Sequence, residues 1–163
     1  MLAYLDKALL PAVFALSFAT VLAKPSYPPQ MPDAREFTYK ETSQTGLKLW
    51  VFQSGKQTKG EKRPAIVFFF GGAWKGGTPA QFEKQCQYLA SRGMVAITAD
   101  YRVSSRHQTK ATACVEDGKS AVRWIRQNAS KLGIDRNKIA AGGGSAGGHV
   151  AAAIATIDGF ESQ

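Results

Sequence analysis

Two textures of apolar and polar residues divide the chain near Pro64. Before it, residues 46–52 (GLKLWVF) begin by alternating apolar and polar positions. With residues 36–41 ahead of them, they predict an antiparallel strand pair. After it, residues 65–70 (AIVFFF) and 94–99 (MVAITA) are continuous apolar runs. Strands with no polar face are those buried on both sides, as in parallel sheets. Between these runs Pro79 opens a helical stretch with Phe82, Cys86, Leu89 and Ala90 at helical spacing and Gly93 as its stop. A second helix is predicted over residues 112–132, where Val115, Gly118, Val122, Ile125 and Ala129 share a stripe and Gly133 follows the end. Residues 138–141 form a third short strand of this kind and residues 146–157 a third helix. The order β-β-β-α-β-α-β-α predicts an α/β fold of three layers on a mostly parallel sheet with right-handed crossovers.

The N-terminus departs from both textures. Lys7 precedes an almost wholly apolar stretch over residues 8–22, and Val21-Leu22-Ala23 ends on small residues, the pattern of a secretory signal peptide cleaved after Ala23. The stretch, interrupted by Pro11, is shorter than the roughly 20 residues that span a bilayer. No stable membrane anchor is therefore expected after cleavage, and the mature chain is expected to be secreted or periplasmic. Residues 24–34 hold four of the seven prolines and read as an extended linker that adds little to the core, which leaves residues 35–163 as one partial domain.

Composition adds few constraints. With 44% apolar and 20% charged residues the chain has the balance of a soluble globular domain. Its net charge of +9 is dispersed, and the densest group (Lys56, Lys59, Lys62, Arg63) lies in a Gly/Gln/Thr-rich stretch that reads as a solvated loop, so no nucleic-acid partner is expected. Two cysteines do not make a disulfide scaffold.

The candidate chemistry lies in residues 140–153, AAGGGSAGGHVAAA. Gly142-x-Gly144-x-x-Gly147 has the spacing of a dinucleotide fingerprint. That fingerprint belongs to a βαβ unit with an acidic residue about 20 positions on, which residues 158–163 do not complete. Gly72 and Gly77 have part of the spacing of a phosphate loop, but the lysine that should follow Gly77 is Thr78. Gly143-Gly144-Ser145-Ala146-Gly147 is G-x-S-x-G between a strand and an alanine-rich helix, the context of a nucleophile elbow. There Ser145 occupies a strained turn, and Gly143 and Gly147 clear space where strand and helix approach. The helix N-terminus directs N–H groups at the hydroxyl.

At the end of residues 65–70, Phe70-Gly71-Gly72-Ala73-Trp74 stands where an esterase carries its oxyanion loop, with the N–H groups of Gly72 and Ala73, joined by that of Ala146, as donors to a developing oxyanion. FFFGGAW, ADYR (residues 99–102), DGKSAVRWIRQNA (residues 117–129) and GGSAGGH (residues 143–149) together resemble the α/β-hydrolase superfamily. The likeness is to its secreted esterase/lipase branch, with a hormone-sensitive-lipase-like loop and acetyl or feruloyl esterases among its members.

The resemblance implies an α/β-hydrolase sheet and a carboxylic-ester hydrolase with Ser145 as nucleophile, no cofactor and no metal. It implies a small-molecule or carbohydrate ester as substrate, such as an acetyl or feruloyl ester of a plant polysaccharide. It also implies departures. The usual His-Gly-Gly-Gly reads Phe70-Gly71-Gly72-Ala73. The triad acid and histidine belong to later strands than residues 138–141, so the chain matches the N-terminal half only, truncated after the elbow helix. His149, one turn along the same helix, and His107, in a polar loop, are not placed to be the base. The resemblance further implies that residues 138–141 leave an open sheet edge through which the chain would self-associate, and its sheet order, with crossovers stepping in opposite directions, implies that Cys86 and Cys114 lie on opposite faces, which favours two buried thiols over a bond between them. The alternative function is a catalytically inactive fragment or partner-binding remnant.

Overall fold

The computed structural model describes residues 26–55, 58 and 60–160. The expected signal peptide and the start of the linker lie outside these residues. Five strands are present: β1 (Arg35–Glu41), β2 (Gly46–Phe52), β3 (Arg63–Phe69), β4 (Val95–Ala99) and β5 (Ile134–Gly143). They form one mixed sheet in the order β1-β2-β4-β3-β5. β1 pairs antiparallel with β2 and β2 with β4, while β3 lies parallel to both β4 and β5. The early alternating pair and the later apolar runs thus occupy the antiparallel and parallel parts of the sheet respectively.

The helices follow from the crossovers. β3 leads through a 3-10 turn (Pro79–Phe82) and α1 (Glu83–Ser91) to β4 on one side. β4 leads through α2 (Ser104–His107), α3 (Ala111–Gln127) and α4 (Ala129–Leu132) to β5 on the other side of β3. α5 (Ala146–Thr156) follows β5. Because the two crossovers step in opposite directions, right-handedness puts α1 on one face and α3 on the other. The core accordingly has two layers. Cys86 and Ala90 of α1 pack with Trp50, Phe52 and Ala96. Val122 and Ile125 of α3 and Val150 of α5 pack with Leu49, Val67 and Ile97. Cys86 and Cys114 are free, one in each layer. Burial raises their thiol pKa values to about 12 and about 11, which leaves both unreactive near neutral pH.

Several elements differ from expectation. The helix expected over residues 112–132 breaks at Asn128, whose backbone leaves the helical region (φ −98°, ψ 10°), and α4 resumes as a single turn. The strand expected over residues 138–141 starts at Ile134, because an irregularity in register lets Arg63 pair with Ile134 while Ala65 pairs with Ile139. The proline-rich stretch is not idle: Met31 is buried at 4% exposure against Trp50 and Phe52, and Tyr27 hydrogen-bonds to Asp100. The expectation that residues 24–34 add little to the core is corrected on this point, since the described part lies along the sheet as a strap.

Candidate active site

β3 and β5 are adjacent and parallel, but α1 leaves β3 toward one face while α5 leaves β5 toward the other. Such a switch opens a crevice at the C-terminal ends of the strands. Two turns line it, one after Phe69 and one after Gly143.

In the second turn Ser145 has φ 50° and ψ −119°, a conformation that L side chains rarely take, and its side chain makes no capping bond to α5. The residue is exposed and, among the described residues, its Oγ has no hydrogen-bond partner. What enforces the turn is close approach. A Cβ on Gly147 would stand 2.0 Å from the Phe69 carbonyl oxygen, and one on Gly143 would stand 2.4 Å from the Gly147 carbonyl carbon. Both sites exclude any side chain, so the strand-to-helix approach read from the sequence is present. Gly147 N–H donates to Gly144 C=O at 2.8 Å and His149 N–H to Ser145 C=O at 3.1 Å, which starts α5 directly at the serine. Ala146, the first residue of α5, is buried, and helix geometry leaves its N–H without an intrahelical acceptor.

The first turn comes up against the serine: the ideal Cβ position of Gly71 is 3.4 Å from Ser145 Cβ. Gly71 N–H is taken by Gln81 Oε1 at 2.6 Å. Gly72 (φ 144°) and Ala73 (φ 53°) follow with positive φ, and their N–H groups donate to no acceptor among the described residues. Ala73 holds this conformation in spite of its Cβ, at a cost of roughly 1–2 kcal/mol. Trp74, also at positive φ (58°), sets its ring edge-on against His149 at 5.4 Å between centroids. The sequence-selected Gly72 and Ala73 thus lie on the turn after β3, and Ser145 and Ala146 on the turn after β5, and the two turns meet where Gly71 approaches Ser145.

Neither histidine is placed on the hydroxyl. His107 is buried beneath the loop, where its Nδ1 accepts from Val103 N–H at 3.0 Å, and burial with the nearby Arg106 charge lowers its pKa. His149 is exposed beside Trp74.

A buried ionic cluster behind the crevice was not read from the sequence. Asp117, fully buried on α3, accepts from Arg102 Nε and Nη2 and from Lys40 Nζ, each at 2.8 Å, and from Arg102 N–H at 3.0 Å. Four donors leave its carboxylate well compensated for its loss of water. The available signal was an aspartate in the middle of an apolar helix stripe, with ADYR as its partner. Asp100 is also buried; burial foremost pushes its carboxyl up to about 6, against hydrogen bonds from Tyr27 and Tyr101 N–H and the Arg106 charge.

Residues 53–163 match the model of the BD-FAE family. Esterase LipC of Mycobacterium tuberculosis is 42% identical over 90 residues, which cover 55% of this chain and 22% of that protein. Esterase 2 of Thermogutta terrifontis, solved in its apo form, is 52% identical at a TM-score of 0.81, over 84% of this chain and 51% of that one. The same esterase phosphorylated by paraoxon is 50% identical at a TM-score of 0.82, over 85% and 54%. The chain thus spans about half the length of these solved relatives, and under a third of LipC.

Proposed function

Because this chain belongs to the BD-FAE family and carries the N-terminal part of an α/β-hydrolase esterase fold, we propose that it serves carboxylic-ester hydrolysis with Ser145 as the nucleophile. The observation that carries this reading is the turn itself: a serine at φ 50° with a free, exposed hydroxyl, approached by a loop whose Gly72 and Ala73 N–H groups donate to no acceptor among the described residues. Strain of this kind, of order 1–3 kcal/mol, persists where surrounding structure over-determines it and clusters at functional sites. Here Gly143 and Gly147 supply the over-determination.

In the proposed reaction Ser145 Oγ attacks the ester carbonyl carbon and gives its proton to a base. The carbonyl oxygen becomes an oxyanion that accepts from the N–H groups of Gly72, Ala73 and Ala146, donors already fixed before charge develops. Collapse breaks the bond to the alcohol, which leaves with a proton, and water then releases the acid from the acyl-serine. The base and its orienting carboxylate are not among the described residues. A serine without them is a weak nucleophile, because its hydroxyl holds its proton at neutral pH. The reading extends to secreted or periplasmic placement, from the signal pattern of residues 1–23, and to short acyl or feruloyl esters, by resemblance.

The second reading, a chain that keeps the turn but hydrolyses nothing, is favoured by the unpartnered Ser145 hydroxyl. Turnover of p-nitrophenyl acetate separates the two. The 163-residue chain is expected to turn over slowly, at most about 10³–10⁴-fold above water, the level left by an oxyanion hole and binding alone, with the excess lost in Ser145→Ala. Fusion to the C-terminal half of Thermogutta terrifontis esterase 2 should raise the rate by orders of magnitude. A fusion that folds but gains no Ser145-dependent turnover would support the inactive reading.

A further inference from the structure

The loop that presents Gly72 and Ala73 holds few bonds of its own. Lys75 and Gly76 N–H donate to Gly72 C=O at 2.9 and 3.1 Å. Beyond the Gln81 bond to Gly71, the bonds that fix it among the described residues come from the chain after β4. Tyr101 Oη donates to Phe70 C=O at 2.5 Å, and the N–H groups of Ser104 and Ser105 donate to Trp74 C=O and Lys75 C=O at 3.0 Å each. At the far end Arg106 Nη1 donates to Gly77 C=O at 3.0 Å. Arg106 is the one charged side chain among these donors.

Arg106 is itself held in an unusual way. Its guanidinium lies over the Tyr27 ring, 3.8 Å from the centroid, and Nη2 stands 3.9 Å from Asp100 Oδ1. Tyr27 completes the arrangement by donating its hydroxyl to Asp100 Oδ2. Arg106 Nε and Nη2 are buried with no hydrogen-bond partner, so stacking and charge, rather than a fork of hydrogen bonds, keep the side chain aimed at Gly77. The other buried side-chain polar atoms without partners among the described residues are Trp74 Nε1, Thr78 Oγ1 and Thr109 Oγ1. All fall in these same two segments. Buried polar atoms are normally paired. A region with several unpaired ones rests on few contacts, so removing one of those contacts should be felt there first.

We propose that Arg106 is the positioning residue of the loop that carries Gly72 and Ala73, and that Tyr27, in the strap before β1, holds Arg106 in place. The strap thereby couples to the crevice without touching the reacting atoms. The consequence for catalysis rests on Ser145 being the nucleophile; the consequence for the loop does not.

Hydrogen exchange of the 163-residue chain tests the assignment at the amides of Lys75, Gly76, Ser104 and Ser105, with the β4 amides as reference. Arg106→Met should speed exchange at those four amides by about tenfold or more while β4 keeps its protection. Arg106→Lys, which can still donate to Gly77, should restore most of it, and Tyr27→Leu should reproduce at least about a third of the effect. Where esters are turned over, Arg106→Met should lower kcat with KM nearly unchanged. Unchanged exchange at the four amides in Arg106→Met, or a loss shared equally by β4, would overturn the proposal; should Arg106→Met fail to fold, Tyr27→Leu decides by the same criterion. Loop exchange that follows Arg106 while Ser145 stays unreactive in every form would reject the nucleophile reading and leave this assignment standing.

Discussion

β4 and β5 both lie parallel to β3, and both are largely small and apolar near their C-terminal ends, but their surroundings are opposite. Every residue of Val95–Ala99 is buried, whereas in Ile134–Gly143 only Ile134 is. β4 has β2 and β3 as neighbours and helices on both faces, while β5 pairs with β3 alone among the described residues. An apolar run therefore marks a strand that is able to be buried; how many neighbours it acquires decides whether it is. β3 lies between the two cases. Ala65, Val67 and Phe69 are buried toward α3 and α5, while Ile66 and Phe68 are half-buried toward α1, with Phe68 stacked on Phe82 at 4.8 Å. The candidate nucleophile sits at the end of the exposed strand, on the less supported side.

The largest expected contrast between the two sides is ionic. Asp117→Ala would leave Lys40 uncompensated and Arg102 with only its longer contact to Glu116 at 3.4 Å, and should cost about 4 kcal/mol in urea unfolding. Asp135→Ala on β5, whose partner Lys138 is 70% exposed at 3.7 Å, should change stability by no more than about 1 kcal/mol. The apolar contrast comes next: Ile97→Ala in β4 should cost about 3 kcal/mol and Ile139→Ala in β5 about 1. Equal costs at the two isoleucines would show that β5 is as enclosed as β4 and break the comparison.

The smallest contrast is in pH dependence. Asp100, at the end of β4, has its carboxyl pushed up to about 6 in the folded chain from an unfolded value of 3.8. The folded state therefore favours the protonated acid, and that contribution to stability is full below about pH 4 and lost as pH rises through 6. Wild type should lose about 2 kcal/mol relative to Asp100→Asn between pH 4 and 7. A wild-type curve parallel to that of the variant would place Asp100 in water rather than beneath Tyr27.

Much of this was legible in the chain. The runs at residues 65–70 and 94–99 and the helix stripe through Val115 and Val122 follow from periodicity, which is local, while the opposite faces of Cys86 and Cys114 followed from the sheet order that the resemblance implies together with crossover handedness. Ser145 was legible because glycine at both Gly143 and Gly147 answers a steric demand that no other residue meets. What was not legible depends on partners distant in sequence. Asp117 meets Lys40 across 77 positions, and Tyr27 meets Asp100 across 73. α2 is a single turn stabilised through His107 and Val103, too short to show a period. Residues 24–34 read as a linker because prolines forbid regular structure, but an extended strap packs as well as a strand when it carries a Met31 and a Tyr27.

The most direct measurement of the central claim is labelling by a fluorophosphonate probe, read by intact mass and peptide mapping. The account predicts a single adduct on Ser145, forming slowly in the 163-residue chain, absent in Ser145→Ala and formed far faster in the fusion that supplies a base. An adduct on another residue, or none on Ser145 in a folded fusion, would contradict it.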